Sequence, residues 1–471
     1  MGRWIVRGGC GLAVLLHGTL AWFSWRPPAR RPVGDEGLYL DAARQLLATG
    51  TFDLEPLWPP LYPAFLALLQ GLVGGDRWLI VVAQLGLLVA VAAGVRSLAS
   101  RWVGKGSLAD LAGLVVLLHP TLAAFSHYAW PEVLHLALWV GIVWTVARLG
   151  DADAAKGRWS LMLGALLGLA LATKALLTPW LPLLLAVVAW GGPNPVGEPL
   201  YGGLRGASGR LLLATLALLL TTLPWMAWNH QRHDVFVLSD SLRFNAWVGL
   251  QDTSRREMID PVVGDELAIF RASGETFRDR QAVLTERLRH HLTSQGRGRL
   301  LDGQLGKQYH RLFDVDSNFT HQLPGGRLAH GPKGYREMPS TLATVLRLYA
   351  RGFYLGLWGL ALLGLAVLRP GRQPWGWMLL GLLLYSLALF LVLHVKTRYR
   401  IPWIPGLGLW AVVGVAWLRR RLGERLGWGG DPSGAGELPA DPWTASIAED
   451  RPPWVWGAVL GGWLGIVVLA L

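Results

Sequence analysis

Charged residues are scarce in this chain. Only 16% of its 471 residues are Asp, Glu, Lys or Arg, whereas about 25% is usual for a soluble domain. Apolar runs such as residues 211–220 have no polar face, and a helix that is apolar all round requires an apolar environment. The low charge and the long apolar runs argue against an ordinary soluble protein and predict one that is embedded in a bilayer.

Cysteine is almost absent, and so is a recognisable cleavage site near the N-terminus. The one cysteine, Cys10, lies in the first apolar run, so an intramolecular disulfide is excluded. Bulky Trp22, Phe23 and Trp25 occupy the zone where a signal peptide would carry small residues. We therefore interpret the first apolar run as a span that is not removed.

Acidic residues are fewer than basic ones, 31 against 44, and the net charge is +13. In a soluble protein this excess would favour binding to nucleic acid. In a multi-pass protein, basic residues collect in cytoplasmic loops and meet anionic lipids. The 26 tryptophans are typical of the aromatic belts at membrane boundaries. The composition predicts membrane lipids as partners, and no nucleic acid.

The apolar runs predict an all-α polytopic membrane protein with about eleven transmembrane helices. The predicted spans are residues 5–24, 78–95, 108–125, 132–149, 159–173, 176–190, 211–228, 343–368, 375–394, 401–418 and 454–471. Residues 59–73 are apolar but short and rich in proline, so we expect a partly inserted helix there. With the N-terminus inside, the basic loops fall on the cytoplasmic side, as the positive-inside rule requires.

This topology divides the chain into three predicted units. Residues 1–228 form an N-terminal transmembrane module, whose first outer loop, residues 25–77, carries juxtamembrane helices. Residues 229–340 form a small outer soluble domain. Residues 341–471 supply the C-terminal transmembrane helices, with a cytoplasmic loop at 419–453 that is rich in Gly and Pro.

The first outer loop carries a pair of carboxylates, Asp35 and Glu36, before an amphipathic segment. That segment, residues 38–49, predicts a surface helix that ends at Gly50. The helix would hold the two carboxylates at the depth of lipid headgroups, where the phosphate of a lipid carrier also lies. The alternative is that Asp35 only caps the helix, because Asp is a favoured N-cap residue.

Two further charged residues lie where outer loops meet predicted spans. Glu132 follows an uncharged loop, and a carboxylate at that depth is costly unless it is paired or functional. The helix dipole alone could also favour it there. Lys174 lies between two apolar runs, where a lysine could bind phosphate or reach the interface as an ordinary snorkelling side chain.

A cluster of cations precedes the tenth predicted span. Lys396, Arg398 and Arg400 lie on the outer side, where the positive-inside rule disfavours them. We expect them to face an anion, and arginine can hold a phosphate with two parallel bonds. Snorkelling to the interface is the alternative here too.

These residues together resemble a known family, and the likeness is spread over most of the chain. The motifs that carry it are Asp35-Glu36 with Tyr39, Trp58-Pro59-Pro60-Leu61-Tyr62, Glu132, Thr173-Lys174, Leu223-Pro224-Trp225 with Asn229, and Arg398-Tyr399 with Pro402 and Pro405. They are similar to motifs of the polyprenyl-phosphate-sugar-dependent glycosyltransferases of the C superfamily. That group includes protein O-mannosyltransferases and lipid A aminoarabinose transferases.

The likeness is incomplete at three points. Leu57-Trp58 stands where the aminoarabinose transferases carry Glu-Lys, and Glu132 stands where the family often has Asp. The His-rich stretch of the mannosyltransferases is absent. These departures leave the sugar and the acceptor open.

The resemblance implies an inverting transfer of sugar from a polyprenyl-phosphate donor to a lipid, glycan or protein acceptor. The site would face outward in a multi-pass protein of the plasma membrane. The implied catalytic residues are Asp35, the base, and Glu36; the implied phosphate-binding residues are Lys174, Lys396, Arg398 and Arg400; and the implied acceptor-binding or site-shaping residues are Tyr39, His127 and Glu132. The resemblance assigns no definite cofactor, although some members of the family bind a divalent metal. Asp35, Glu36 and Glu132 could supply ligands to a divalent cation, although no spacing demands one.

Other functions fit parts of the same pattern. A lipid or oligosaccharide transporter or flippase could place polar residues along a pathway, but the chain has no matched pair of halves, and its acidic pair lies in a loop. An oligosaccharide ligase and a mannosyltransferase of anchor synthesis share the superfamily chemistry. A non-catalytic scaffold would leave the clustered outer charges without a role.

Overall fold

The computed structural model describes the greater part of the chain as helices and the segments that join them. The described residues are 2–25, 32, 34–52, 54–73, 77–151, 156–182, 185, 203–251, 261–294, 302–326, 335, 337–368, 374–425 and 453–470. Within these ranges the structure is helical, as the composition predicts.

The first half of the chain contains nine helices among its described residues. They are α1 (Gly2–Trp25), α2 (Glu36–Thr49), α3 (Leu61–Val73), α4 (Arg77–Val103), α5 (Ser107–Leu118), α6 (Pro120–Phe125), α7 (Glu132–Leu149), α8 (Lys156–Thr173) and α9 (Gly203–His233). A 3₁₀ turn, Ala175–Trp180, follows α8.

The described part of the second half begins with shorter helices and continues with long ones. They are α10 (Leu242–Gln251), α11 (Pro261–Ala272), α12 (Phe277–Ser294), α13 (Asn318–Gln322), α14 (Ser340–Val367), α15 (Pro374–Leu389), α16 (Ile404–Arg425) and α17 (Pro453–Ala470). A 3₁₀ turn, Thr397–Trp403, leads into α16.

Six helical stretches of the described chain are long and apolar enough to cross a membrane. They are Trp4–Ser24, Trp78–Val103, Glu132–Leu149, Ser208–His233, Ser340–Val367 and Thr397–Gly423. Shorter apolar helices are Leu61–Leu72, Ser107–Leu118, Trp375–Leu389 and Trp454–Val468. This pattern is that of a multi-pass membrane protein, and eleven spans remain a prediction.

The predicted spans differ from the observed helices at two places. The span expected at 108–125 is divided, because the backbone at His119 is extended between α5 and α6 and Pro120 begins the second helix. About half of the span expected at 176–190 lies outside the described residues, and its first residues form the 3₁₀ turn Ala175–Trp180. The partly inserted helix expected at 59–73 corresponds to α3.

Two pairs of long helices touch through their backbones. A Cβ added to Gly164 of α8 would overlap the carbonyl oxygen of Ala214 in α9. In the other pair, a Cβ on Gly364 of α14 would overlap the carbonyl oxygen of Trp410 in α16. Small residues allow such close approach between helices in a bilayer. Lys174 follows α8 directly and Arg398 lies just before α16, so both pairs fix segments that carry candidate site residues.

The segment that follows α9 packs on the residues between α2 and α3. Leu57 shares an apolar cluster with Phe244, Phe270 and Phe277. Beside this cluster, Glu55 accepts hydrogen bonds from Arg271 at 3.2 Å and from Arg280 at 2.7 Å. The two hydrogen bonds join parts of the chain that are more than 200 residues apart. The boundaries of an outer domain at 229–340 stay a prediction.

Helix α10 also lies against the segment that leads to the predicted cation cluster. The backbone N–H of His394 donates to the carbonyl oxygen of Asn245 at 3.0 Å. A Cβ added to Gly249 would lie 2.7 Å from that same His394 nitrogen. The glycine is therefore required for this close contact, which holds the residues before Lys396 in place.

Candidate active site

Asp35 lies at the start of α2, but its side chain does not cap the helix. Helix α2 ends at Gly50, whose φ of 68° is the left-handed conformation that glycine favours. At the other end, Asp35 occupies the N-cap position and makes no side-chain cap bond. Its Oδ2 instead accepts a hydrogen bond from Nη2 of Arg398 at 2.9 Å. The alternative in which Asp35 serves only as a helix cap is therefore wrong.

Arg398 occupies the centre of the candidate site. Its guanidinium lies over the ring of Trp130, 4.4 Å from the ring centroid, an arrangement that adds cation–π attraction. Its Nε is 3.9 Å from Oε1 of Glu132. The Arg398 side chain is 12% exposed, so both carboxylates act on it in a largely desolvated setting.

Glu132 and Lys174 form the second ion pair of this group. The Lys174 Nζ donates to Glu132 Oε1 at 2.8 Å. The Glu132 side chain is 1% exposed, and its other oxygen, Oε2, is buried without a hydrogen-bond partner in the part of the chain that the structure describes. A buried carboxylate oxygen without a partner costs free energy. Asp35, Glu132, Lys174 and Arg398, called the ion cluster below, thus lie together, and their roles stay a prediction.

Asp35 is the most accessible member of the ion cluster, with 42% of its side chain exposed. Burial by the surrounding chain would raise the pKa of Asp35, but the charges of Arg398 and Lys396, and that of Lys174, more than offset this effect. The pKa of Asp35 therefore lies below its ordinary value, and the carboxyl group is ionised at neutral pH.

Glu36 points into the protein and forms a hydrogen bond with the backbone of a neighbouring loop. Its Oε1 accepts a hydrogen bond from the backbone N–H of Ala129 at 2.7 Å, and the residue is buried. The following residue of that loop is Trp130, which lies under Arg398. Adjacent Asp35 and Glu36 were both expected to be catalytic, yet the structure gives Glu36 a backbone partner and directs Asp35 to the ion cluster.

Gln84 of α4 is an organising residue that sequence reasoning missed. Its Nε2 donates to the carbonyl oxygens of Tyr128 at 2.6 Å and Ser126 at 3.3 Å, and its Oε1 accepts from the hydroxyl of Tyr62 at 3.3 Å. The signal was present in the sequence, because a single amide interrupts an otherwise apolar span. Gln84 ties the loop that carries Trp130 to α3 and α4.

Tyr39 and His127, expected to shape the site, occupy different surroundings. Tyr39 lies one turn after Asp35, and its ring meets the ring of Tyr62 edge to face at 5.3 Å. Burial and the negative charges of Asp35 and Glu132 raise the pKa of Tyr39 well above its ordinary value, so it remains a hydroxyl donor. His127 is buried beside His17 of α1, with ring centroids 5.8 Å apart.

Arg400, also expected to bind phosphate, has backbone partners. Its Nη1 donates to the carbonyl oxygens of Leu312 at 3.2 Å and Asp314 at 2.5 Å, and its guanidinium lies 4.4 Å from the centroid of the Tyr354 ring. These contacts tie the turn before α16 to residues 312–314, and phosphate binding by Arg400 stays a prediction. Lys396, in contrast, acts electrostatically on Asp35.

Metal ligands are also relevant, because three carboxylates were considered as ligands of a divalent cation. Within the described ranges, no group of three or more His, Cys, Asp or Glu side chains is placed to hold a metal ion. Asp35 and Glu132 face cations, and Glu36 faces a backbone N–H.

Comparison with known proteins identifies the fold. No family model and no curated protein matches the sequence. Among solved structures, ArnT from Cupriavidus metallidurans bound to undecaprenyl phosphate is 19% identical with a TM-score of 0.52, and the match covers 99% of this chain and 71% of that one.

The Archaeoglobus fulgidus oligosaccharyltransferase in its apo form is 12% identical with a TM-score of 0.50. That match covers 99% of this chain and 54% of the other, so this chain spans about half of its length. The comparisons confirm that the chain has the fold expected from its resemblance to polyprenyl-phosphate-dependent glycosyltransferases of the C superfamily.

Proposed function

We propose that this chain is an inverting glycosyltransferase that moves a sugar from a polyprenyl-phosphate donor to an acceptor hydroxyl or phosphate on the extracytoplasmic side. The observation that carries the proposal is the ion cluster. Its four members come from segments near residues 35, 132, 174 and 398 and meet through contacts of 2.8, 2.9 and 3.9 Å. Ionised groups at membrane depth are costly and are retained mainly where they serve a function.

Asp35 is the proposed general base. It is ionised at neutral pH, it is the most exposed carboxylate of the ion cluster, and Arg398 fixes its direction. A base must reach the proton that it removes through a hydrogen bond, and an exposed carboxylate oxygen meets that requirement. The matching carboxylate, Glu132, is enclosed and held by Lys174, which makes it a positioning group.

Arg398 and Lys396 are the proposed partners of the donor phosphate. As the bond from the anomeric carbon to the phosphate oxygen breaks, its electron pair remains on the phosphate, and fixed cations stabilise the growing charge. The acceptor oxygen forms the new bond to the anomeric carbon from the opposite face, and its proton passes to Asp35. One displacement inverts the anomeric configuration.

The shared fold agrees with this chemistry. The ArnT structure with the same fold contains undecaprenyl phosphate, a lipid phosphate of the class that we propose as the carrier. Several long apolar helices of the described chain would place such a carrier beside α2 and the ion cluster, because the headgroup and the carboxylates lie at similar depth.

The decisive experiment measures sugar transfer from polyprenyl-phosphate donors in membranes. Replacing Asp35→Asn should lower the rate by about 10²–10⁴-fold, the range for loss of a general base. The matched control is Asp41→Asn on the same helix, because Asp41 is exposed and pairs only at the surface with Arg44. Transfer at the wild-type rate by folded Asp35→Asn protein would rule out Asp35 as the base.

A further inference from the structure

Arg398 and Asp35 hold each other in a way that conflicts with their proposed tasks. The proposed function requires Arg398 to bind the donor phosphate and Asp35 to accept a proton. In the structure, the Arg398 Nη2 donates to the Asp35 Oδ2 at 2.9 Å. A carboxylate that is paired with a guanidinium is a weaker base, and an N–H group that is already bonded is less available to a phosphate.

The rest of the Arg398 side chain is prepared for a second anion. A guanidinium has five N–H donors, and among the described residues Nε of Arg398 is buried without a hydrogen-bond partner, 3.9 Å from Glu132 Oε1. The ring of Trp130 supports the guanidinium from one face at 4.4 Å. The group is therefore held in place by contacts other than Asp35, and it would remain there if Asp35 were released.

The charge of the site also favours the arrival of one more anion. The ion cluster contains two carboxylates and two cations, and Lys396 adds a third cation that acts on Asp35. Three positive and two negative charges leave an excess of one positive charge. A phosphodiester carries one negative charge, so a bound donor phosphate brings this group of residues to neutrality without another cation.

We propose that the donor phosphate and Asp35 compete for Arg398, so that binding of the donor releases Asp35 and makes it available as the base. The inference rests on the proposed function and adds an order to it: the donor binds first, and the acceptor is deprotonated only afterwards. Before the donor arrives, the base is held by the same guanidinium that the donor needs.

The electrostatics of Asp35 agree with such an exchange. Burial raises the pKa of Asp35, and the neighbouring cations lower it by more. A phosphate bound to Arg398 and Lys396 would neutralise part of that positive charge. The cations would then lower the pKa of Asp35 by less, and the opposing effect of burial would raise it. Asp35 would then become more basic at the stage at which a base is required.

The test is the affinity of the purified full-length chain for undecaprenyl phosphate in lipid nanodiscs. If Asp35 competes for Arg398, replacing Asp35→Asn removes the competitor, and the lipid phosphate should bind about tenfold more tightly, within the usual range for coupled sites. The same variant should be inactive in transfer. Asp41→Asn is the matched control, since it removes a carboxylate from the exposed face of α2, and its affinity should equal that of the wild type.

A second pair of variants assigns the effect to Arg398. In an Arg398→Met background, Asp35→Asn should change the affinity by less than about twofold, because the coupled partner is absent. Asp35→Ser provides a second removal of the carboxylate, in case Asp35→Asn does not fold.

The possible outcomes distinguish a failure of the exchange at Arg398 from a failure of the proposed function. If the wild type binds undecaprenyl phosphate and neither Asp35 variant binds it more tightly, the exchange is wrong and the proposed function stands. Equal tightening by Asp41→Asn, or tightening that persists without Arg398, also overturns the exchange. If the wild type does not bind the lipid phosphate, the proposed function and this inference both fail.

Discussion

Two ionic regions of this protein use the same residue types with different partners. In the segment before α14, Asp316 accepts from Nε and Nη2 of Arg351 at 3.0 and 2.8 Å, and Nη1 of Arg400 donates to two backbone carbonyls. In the ion cluster, charged groups meet mainly one another, and Glu132 Oε2 and Arg398 Nε have no hydrogen-bond partner among the described residues. Both oxygens of Asp316 thus have a partner, whereas Glu132 has one oxygen bonded and the other not.

Arg398 and Arg400 show the same difference in their bonding partners, although only one residue lies between them. Each is a buried or nearly buried arginine beside an aromatic ring, at 4.4 Å in both cases. Arg400 is bonded to backbone carbonyls, whereas Arg398 faces side-chain carboxylates. Two arginines of one short turn thus differ in their partners, backbone carbonyls for Arg400 and side-chain carboxylates for Arg398.

The largest expected effect comes from removing one cation of the ion cluster. Lys174→Met leaves Glu132, 1% exposed, as a buried carboxylate that has lost its ammonium partner, and breaking a buried pair costs about 3–5 kcal/mol. Thermal unfolding in detergent should show the loss. The double variant Lys174→Met with Glu132→Gln removes both charges and should recover most of it; failure to recover would mean that the two residues act separately.

Arg398→Met tests whether the exchangeable arginine serves the reaction. Without the guanidinium, charge on the departing phosphate loses a preorganised donor, and kcat should fall by about 10²–10³-fold. The measurement is single-turnover transfer from a polyprenyl-phosphate sugar. A normal kcat with a lower melting temperature would instead show that Arg398 has a structural role.

Arg400→Met should lower the stability of the protein, whereas Arg398→Met should lower kcat. The carbonyl oxygens of Leu312 and Asp314 would lose their donor in a buried setting, which costs about 1–3 kcal/mol. We expect a lower melting temperature with affinity for undecaprenyl phosphate unchanged. If this variant bound the lipid phosphate more weakly at unchanged stability, Arg400 would have to be counted among the phosphate-binding residues.

The pH dependence gives the smallest and most specific difference. Because the pKa of Asp35 is lowered from 3.8, the active carboxylate persists to lower pH. At low pH, kcat/KM for the donor falls as groups of the free enzyme become protonated. The midpoint of this acidic limb should therefore lie below pH 3.8. In Arg398→Met the depressing charge is gone, so the limb should move to higher pH. A limb at the same pH in both proteins would show that Arg398 does not control this carboxylate.

Much of the candidate site could be predicted from single residues in unfavourable places. Carboxylates and cations at membrane boundaries marked Asp35, Glu132, Lys174 and Arg398, because each is costly there without a partner. Helix α2 and its end at Gly50 followed from an amphipathic pattern and a terminating glycine. Glu132 could be named in this way, but its pairing with Lys174 depends on how α7 and α8 pack.

The direction of side chains could not be predicted in the same way. Both arginines were expected at the phosphate because both lie on the predicted outer side, where the positive-inside rule disfavours cations. The segment is a 3₁₀ turn, Thr397–Trp403, with about three residues per turn, so the two side chains diverge. Gln84 is visible in the sequence as the single amide of an apolar span, but its partners, two backbone carbonyls and the Tyr62 hydroxyl, depend on how α3, α4 and the loop before α7 pack.

The missing methyl group at Gly249 has a mechanical consequence. The backbone N–H of His394 donates to the carbonyl oxygen of Asn245, and an added Cβ at Gly249 would lie 2.7 Å from the same His394 nitrogen. Helix α10 and the chain just before Lys396 are therefore joined backbone to backbone. A displacement of α10 would pass directly to the turn that carries Arg398.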